Sequence, residues 1–192
     1  MTTGVLALQG AFALHEQVLR SLGEPTVQVR RPEHLDGLDR LVIPGGESTT
    51  ITMLAERTGL IEPLTELVRS GLPVLGTCAG AILLGSRILD GRPDQRCLGA
   101  IDITTRRNGY GRQVESFTAQ LEVPVLGPPP FRAVCIRAPL LEEVGAGVEV
   151  LARLEGRPVL ARQGAIMVST FHPELADDVR LHEHFLGVDV RV

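Results

Sequence analysis

Cys78, His172 and Glu174 have the residue types and surroundings that covalent catalysis requires. Cys78 stands in Gly76-Thr77-Cys78-Ala79-Gly80, directly after the apolar run 72–75 and directly before the helix-like Ala81-Ile82-Leu83-Leu84. A strand that feeds a helix through Gly-x-Cys-x-Gly must turn sharply, and glycines on either side remove the Cβ clashes of such a turn. The thiol is then expected at the apex, facing the free N–H groups and positive dipole end of a helix. Those groups favour thiolate over thiol and can hold a developing oxyanion. His172 follows the apolar run 165–168 in Ser169-Thr170-Phe171-His172-Pro173-Glu174. That places it at a strand end, where the functional groups of open α/β folds gather. Pro173 keeps His172 extended, and Glu174 can reach back to the imidazole and fix its tautomer. Cysteine, histidine and glutamate in this order have the logic of nucleophile, base and orienter.

An isolated cysteine is more often a small buried hydrophobe than a nucleophile, and that reading is adopted for Cys97 and Cys135, which have no base or glycine turn around them. Without the segment around His172 it would suit Cys78 equally. His182 and His184, two residues apart on a helix, do not share a face and are expected to be solvated. His15 and His34 lie in polar contexts and are likewise expected to be exposed. The sequence has no Cys-x-x-Cys or His-Glu-x-x-His pattern, so no metal site is expected.

These residues must be positioned by a framework that 192 residues, 44% of them hydrophobic, can supply. One domain over residues 1–192 with a well-buried core is expected. The net charge of -4 and the lack of a basic block argue against a nucleic-acid surface. Every basic side chain is arginine, which excludes lysine-based chemistry. Three cysteines make no disulfide framework, no basic leader precedes the first apolar run, and no run approaches a membrane span. A cytoplasmic protein without membrane contact is the expectation.

Apolar β-like runs at 5–8, 27–29, 41–43 and 73–75 alternate with helical patterns at 15–22, 51–55 and 61–68. This is the signature of βαβ units and a mostly parallel, doubly wound sheet with helices on both faces. After about residue 97 the texture changes to strand-like segments at 101–105, 117–123, 133–136, 148–154, 158–162 and 165–168. These are expected to form hairpins, with turns at Gly156-Arg157 and Gly164 and a loop at Gly127-Pro128-Pro129-Pro130. A helix over about 178–186 closes the chain. The fold class is therefore α/β, an open mixed sheet with added antiparallel strands in the second half.

The run 41–43 ends in Pro44-Gly45-Gly46-Glu47-Ser48, a second glycine turn that lets backbone N–H groups approach a ligand. Beside Cys78 it gains a purpose, because an oxyanion hole needs two converging donors, here Gly46 and Ala79. Through Pro44-Gly45-Gly46, the cysteine turn and Phe171-His172-Pro173-Glu174 the chain resembles the class I (triad) glutamine amidotransferases, whose fold is flavodoxin-like. Further blocks make it similar to the glutaminase subunits of pyridoxal 5'-phosphate synthases. They are Leu8-Gln9-Gly10-Ala11, Gly45-Gly46-Glu47-Ser48-Thr49-Thr50, Arg107-Asn108 leading to Tyr110-Gly111-Arg112-Gln113, Ser116-Phe117 and Ile136-Arg137-Ala138-Pro139.

The resemblance implies hydrolysis of L-glutamine to glutamate and ammonia through a cysteine thioester, with no cofactor. It assigns glutamine contacts to Gly46, Glu47, Ser48, Arg107, Ile136 and Arg137, with Arg106 the alternative if the register is off by one. Chemically, an arginine suits the α-carboxylate and Glu47 the α-ammonium. The resemblance also implies a partner, a ring-forming β/α-barrel synthase subunit of the PdxS type. That subunit combines ammonia with ribose 5-phosphate and glyceraldehyde 3-phosphate, and docking completes the oxyanion hole near Gly45-Gly46. The competing readings are the glutaminase of imidazole glycerol phosphate synthase, a hydrolase of the DJ-1 and intracellular-protease type, and a non-catalytic binding protein on the same fold.

Overall fold

A computed structural model describes residues 1–107, 109 and 116–188. Its central sheet begins with β1 (Thr3–Leu6), β2 (Thr26–Val29), β3 (Arg40–Ile43) and β4 (Val74–Thr77). Every residue of β1, β3 and β4 is buried, the state of central parallel strands covered on both faces. Between them run α1 (Phe12–Ser21), α2 (Ser48–Arg57) and α3 (Ile61–Arg69), and α4 (Ala79–Leu84) follows β4 at once.

The second half supplies β5 (Arg87–Ile88), β6 (Ile103–Arg106), β7 (Ser116–Leu121), β8 (Phe131–Ile136), β9 (Leu140–Val144), β10 (Glu149–Leu154), β11 (Arg157–Gln163) and β12 (Ile166–Ser169), then α5 (Arg180–Leu186). The sheet order is β10-β11-β12-β4-β3-β1-β2. From β2 through β1, β3 and β4 to β12 the strands are parallel, whereas β12, β11 and β10 form an antiparallel meander. The order reverses at β1, the type of switch point beside which open sheets bind ligands.

Side-chain alternation along the strands sends residues into two cores. Leu6, Ile43 and Val74 point to a layer closed by Ile51 of α2, Leu64 of α3 and Leu83 of α4. Val5, Val42 and Leu75 point to the opposite layer, closed by Leu19 of α1, Leu181 and Phe185 of α5, and Phe131 and Ala133 of the β7–β8 hairpin. Each fully buried Leu or Phe contributes about 1.5–3 kcal/mol relative to exposure, and truncating one such as Leu64 to alanine is expected to cost about 2–5 kcal/mol.

The expected mixed, mostly parallel sheet is present, and β7–β8 and β10–β11 are hairpins. The second-half strands do not all join that sheet, however: β5, β6 and β9 form a separate three-stranded sheet, and β7 and β8 form a two-stranded one. The first strand begins at Thr3 and not at 5, and the last helix begins at Arg180, whose N–H donates to the Asp178 carboxylate at 3.0 Å. Among the described residues, no helix is long and apolar enough to cross a membrane.

Candidate active site

The carboxyl ends of β1, β3, β4 and β12 bring together Gln9 and Gly10, Gly45 and Gly46, Cys78, and His172. All line one cleft of about 300 Å³. Cys78 occupies the single residue between β4 and α4 with φ 49° and ψ -104°. A non-glycine residue rarely takes positive φ, and strain of this kind is stored where the surrounding structure overdetermines it. Its N–H donates to Ser169 O at 2.8 Å, fastening the turn to β12. The flanking glycines serve packing more than the turn itself. A Cβ on Gly80 would collide with the Ile43 carbonyl oxygen, so Gly80 is what lets α4 lie against β3. Gly45 plays a similar part on the other side, where a Cβ would strike the His172 ring and lie 3.2 Å from Cys78 Cβ.

His172 is held by its N–H donating to Val134 O at 2.8 Å, just ahead of a short 3-10 turn, Pro173–Leu175. That turn swings Glu174 back, and His172 Nδ1 lies 2.7 Å from Glu174 Oε1. Burial alone would lower the His172 pKa, but hydrogen bonds to Cys78 and Glu174 and their charges raise it from 6.5 to about 10. Burial alone would raise the Glu174 pKa; hydrogen bonds from His15 and His172 and the charge of His172 instead hold it well below the usual carboxylate range. At neutral pH the pair is an imidazolium beside a carboxylate.

The loop after β3 is pinned from the β1 side and from β4. Gly45 O accepts from Ala11 N–H at 3.1 Å, Glu47 N–H donates to Gln9 Oε1 at 2.7 Å, and Gly45 N–H donates to Thr77 Oγ1 at 3.0 Å. Gly46 is left exposed in the cleft. Ala79 N–H, the first of α4, has no partner within its own helix. Ser48 Oγ is buried without a hydrogen-bond partner among the described residues.

Glu47 caps α2, accepting from the N–H groups of Thr49 at 3.3 Å and Thr50 at 2.7 Å, and its Oε1 pairs with Arg107 Nη2 at 2.7 Å. Burial would raise its pKa, yet hydrogen bonds from the Thr49 and Thr50 hydroxyls and N–H groups bring it down to about 2. Its carboxylate is thus committed to the cap and to Arg107, and is not a free counterion in the cleft. Arg107 is the arginine of the cleft wall, and Arg106 points elsewhere, to Glu142 at 2.5 Å. Ile136 and Arg137 close the far wall; Arg137 has φ 44°, and Ile136 O lies 3.9 Å from Cys78 Sγ. Asn108 and residues 110–113 lie outside the described residues.

Cys97 and Cys135 are pushed up to about 11 by burial, Cys135 also by the charge of Cys78, which suits packed thiols. The expectation of exposed histidines fails for His15 and His182, both 0% exposed, while His34 and His184 are half-buried. His15 falls on the stripe Phe12, His15, Leu19 of α1, and His182 lies beside Leu181 and one turn before Phe185 on α5. Helical spacing therefore assigns both to buried faces, and that signal was available in the sequence.

A thiol, an imidazole and a carboxylate at the strand ends of a doubly wound sheet form the kind of set that cysteine-dependent hydrolases use. Residues 5–191 match the SNO glutamine amidotransferase family, and the chain belongs to that family. A pyridoxal 5'-phosphate synthase subunit PdxT from Roseiflexus sp. (strain RS-1) is 56% identical over 98% of this chain and 100% of its own length. A protein of the same name from Herpetosiphon aurantiacus is 56% identical over 98% of this chain and all of its own. A crystal structure of a glutamine amidotransferase superposes with a TM-score of 0.91 at 50% identity, covering 97% of each chain.

Proposed function

We propose that the chain is the glutaminase subunit of a pyridoxal 5'-phosphate synthase, acting as one domain over residues 1–192 in the cytoplasm. The observation that carries this is the succession Cys78, His172, Glu174 opening into a cleft lined by Gly46, Glu47, Ser48, Arg107, Ile136 and Arg137. The cleft is at the lower end of ligand pockets, which run from about 300 to 1,000 Å³, and suits one free amino acid better than a polypeptide. The same-named relatives favour this reading over the glutaminase of imidazole glycerol phosphate synthase.

Cys78 Sγ, as thiolate beside the His172 imidazolium, attacks the side-chain amide carbon of L-glutamine. N–H groups of Gly46 and Ala79 hold the oxyanion that forms. His172 passes its proton to the departing ammonia, leaving a γ-glutamyl thioester on Cys78. Water then enters, His172 takes its proton as base, and the thioester breaks to glutamate and thiolate, with Glu174 steadying the imidazolium whenever it forms. Arg107 uses part of its five-donor fork on Glu47 and has donors left for the α-carboxylate, joined by Arg137. Glu47 reaches the α-ammonium only by sharing oxygens already bonded to α2.

Ammonia released into water is protonated and loses its nucleophilicity, so a synthase subunit must receive it directly. A ring-forming β/α barrel of the PdxS type is the partner, using ribose 5-phosphate and glyceraldehyde 3-phosphate. The test is glutamate release from glutamine with and without that subunit. Release is expected with it, and Cys78→Ala is expected to bring release to background, a loss on the order of 10⁶-fold. Undiminished release by Cys78→Ala would end the assignment.

A further inference from the structure

Behind Glu174, away from the cleft, lie two buried histidines that the reaction as described does not use. His15 Nε2 is 3.2 Å from Glu174 Oε2 and 3.2 Å from Thr77 Oγ1, and His15 Nδ1 is 3.0 Å from His182 Nε2. The side chains of His15 and Glu174 are both 0% exposed, and Oε2 makes no well-aligned hydrogen bond among the described residues, the 3.2 Å approach of His15 Nε2 being a contact at ion-pair distance.

The partners fix where the protons are. Burial, the largest influence on it, drives His182 down to about 3, so it is neutral and has one N–H. Its Nδ1 has no hydrogen-bond partner among the described residues. A buried unpaired N–H is rarer and costlier than a bare lone pair, which puts the proton on Nε2, donating to His15 Nδ1. His15 Nδ1 is then an acceptor, and its own proton sits on Nε2, shared between Glu174 Oε2 and Thr77 Oγ1. An imidazolium at His15 would instead strand the His182 Nδ1–H. Thr77 Oγ1 already accepts from Gly45 N–H, so the charged carboxylate is the stronger acceptor for His15.

Resting on the proposed roles of Cys78, His172 and Glu174, we propose that His15 is a positioning residue for the reaction. It donates from Nε2 to Glu174 Oε2, with His182 holding its ring in the donating tautomer, and so leaves Oε1 in one orientation for His172 Nδ1–H. With that donation made, Glu174 is held at both oxygens. With Oε2 unpaired in a dry interior, the carboxylate would rotate or take up a proton, and His172 would lose its fixed tautomer. His15 does not line the cleft, so it acts through Glu174 and not on substrate.

The experiment measures kcat and KM for glutamate release by the full chain with the synthase subunit, for wild type, His15→Leu and His15→Gln, with ring nitrogens of the wild type read by ¹⁵N NMR. His15→Leu is expected to lower kcat about 10- to 100-fold, the usual effect of losing an outer hydrogen-bond partner. KM is expected to stay within about twofold, since the contact is not made to substrate. His15→Gln, whose amide can donate where Nε2 does, is expected to regain most of kcat. The NMR is expected to show His15 protonated at Nε2 and not at Nδ1. Wild-type kcat in His15→Leu, no rescue by His15→Gln, or an unprotonated Nε2 would each overturn the proposal. The ring spectrum needs neither turnover nor a folded variant. An inactive wild-type complex, or an active Cys78→Ala, would instead strike the parent reading and leave the ring spectrum to decide this one.

Discussion

The cleft side of His172 and its buried side are made of different materials. Toward the cleft stand exposed Gly46 and the Glu47–Arg107 pair, whose side chains are 42% and 24% exposed. Behind the ring stand Glu174 and His15, with side chains at 0%. Charges in the cleft wall are wetted and screened, so they can exchange one partner for another when a zwitterionic amino acid arrives. The Glu174 charge behind the ring is not screened by water, and each hydrogen bond there is expensive to leave unmade. On the proposed function the difference separates two tasks: the wet side recognises, and the dry side keeps one proton in one place.

The largest effect that would sharpen this contrast is expected on the dry side. Glu174→Gln keeps the shape but puts a neutral amide where His172 needs an anion, and kcat is expected to fall on the order of 10³- to 10⁴-fold, as for loss of the orienting carboxylate in other triads. KM should barely move. On the wet side, Arg107→Gln is expected to raise KM for glutamine about 10- to 100-fold, the value of a charged hydrogen bond, with a smaller change in kcat. Steady-state kinetics with the synthase subunit checks both, and a reversed pattern, KM for Glu174 and kcat for Arg107, would break the comparison.

A smaller effect reads the charge on the ring itself. His172 is raised from 6.5 to about 10, so the stability it contributes is complete below 6.5 and is lost as pH rises through about 10. The proton for departing ammonia disappears over the same range, and kcat/KM is expected to fall on that alkaline limb. Cys78→Ser removes the Cys78 contribution that raises His172 and is expected to lower the His172 pKa, measured by NMR titration of the ring. An unchanged titration would place the source of the shift elsewhere.

The contrast also explains what the sequence made legible. Gly76 to Gly80 and the segment from His172 to Glu174 carry local signatures, because a strand-to-helix turn and an X-Pro stop restrict which residues fit. The parallel first half was readable from its continuous apolar runs. The short strands β5 and β9 were not, since Leu140–Val144 has no alternation and Arg87–Ile88 spans two residues. The buried histidines were misread because residue type outweighed helical position, although Phe12, His15 and Leu19 share a face. Glu47 was legible as a cleft residue, but not its commitment to the α2 cap, which depends on where Thr49, Thr50 and Arg107 come to rest.

The claim on which everything else depends is that Cys78 is the nucleophile for glutamine, and covalent capture tests it most directly. The full chain with the synthase subunit is treated with a chloroketone analogue of glutamine, digested, and its cysteine peptides weighed by mass spectrometry. The adduct is expected on Cys78, suppressed by excess glutamine, with Cys97 and Cys135 unmodified because burial keeps both thiols protonated to about pH 11. An unlabelled Cys78, or labelling that glutamine does not suppress, would contradict the account.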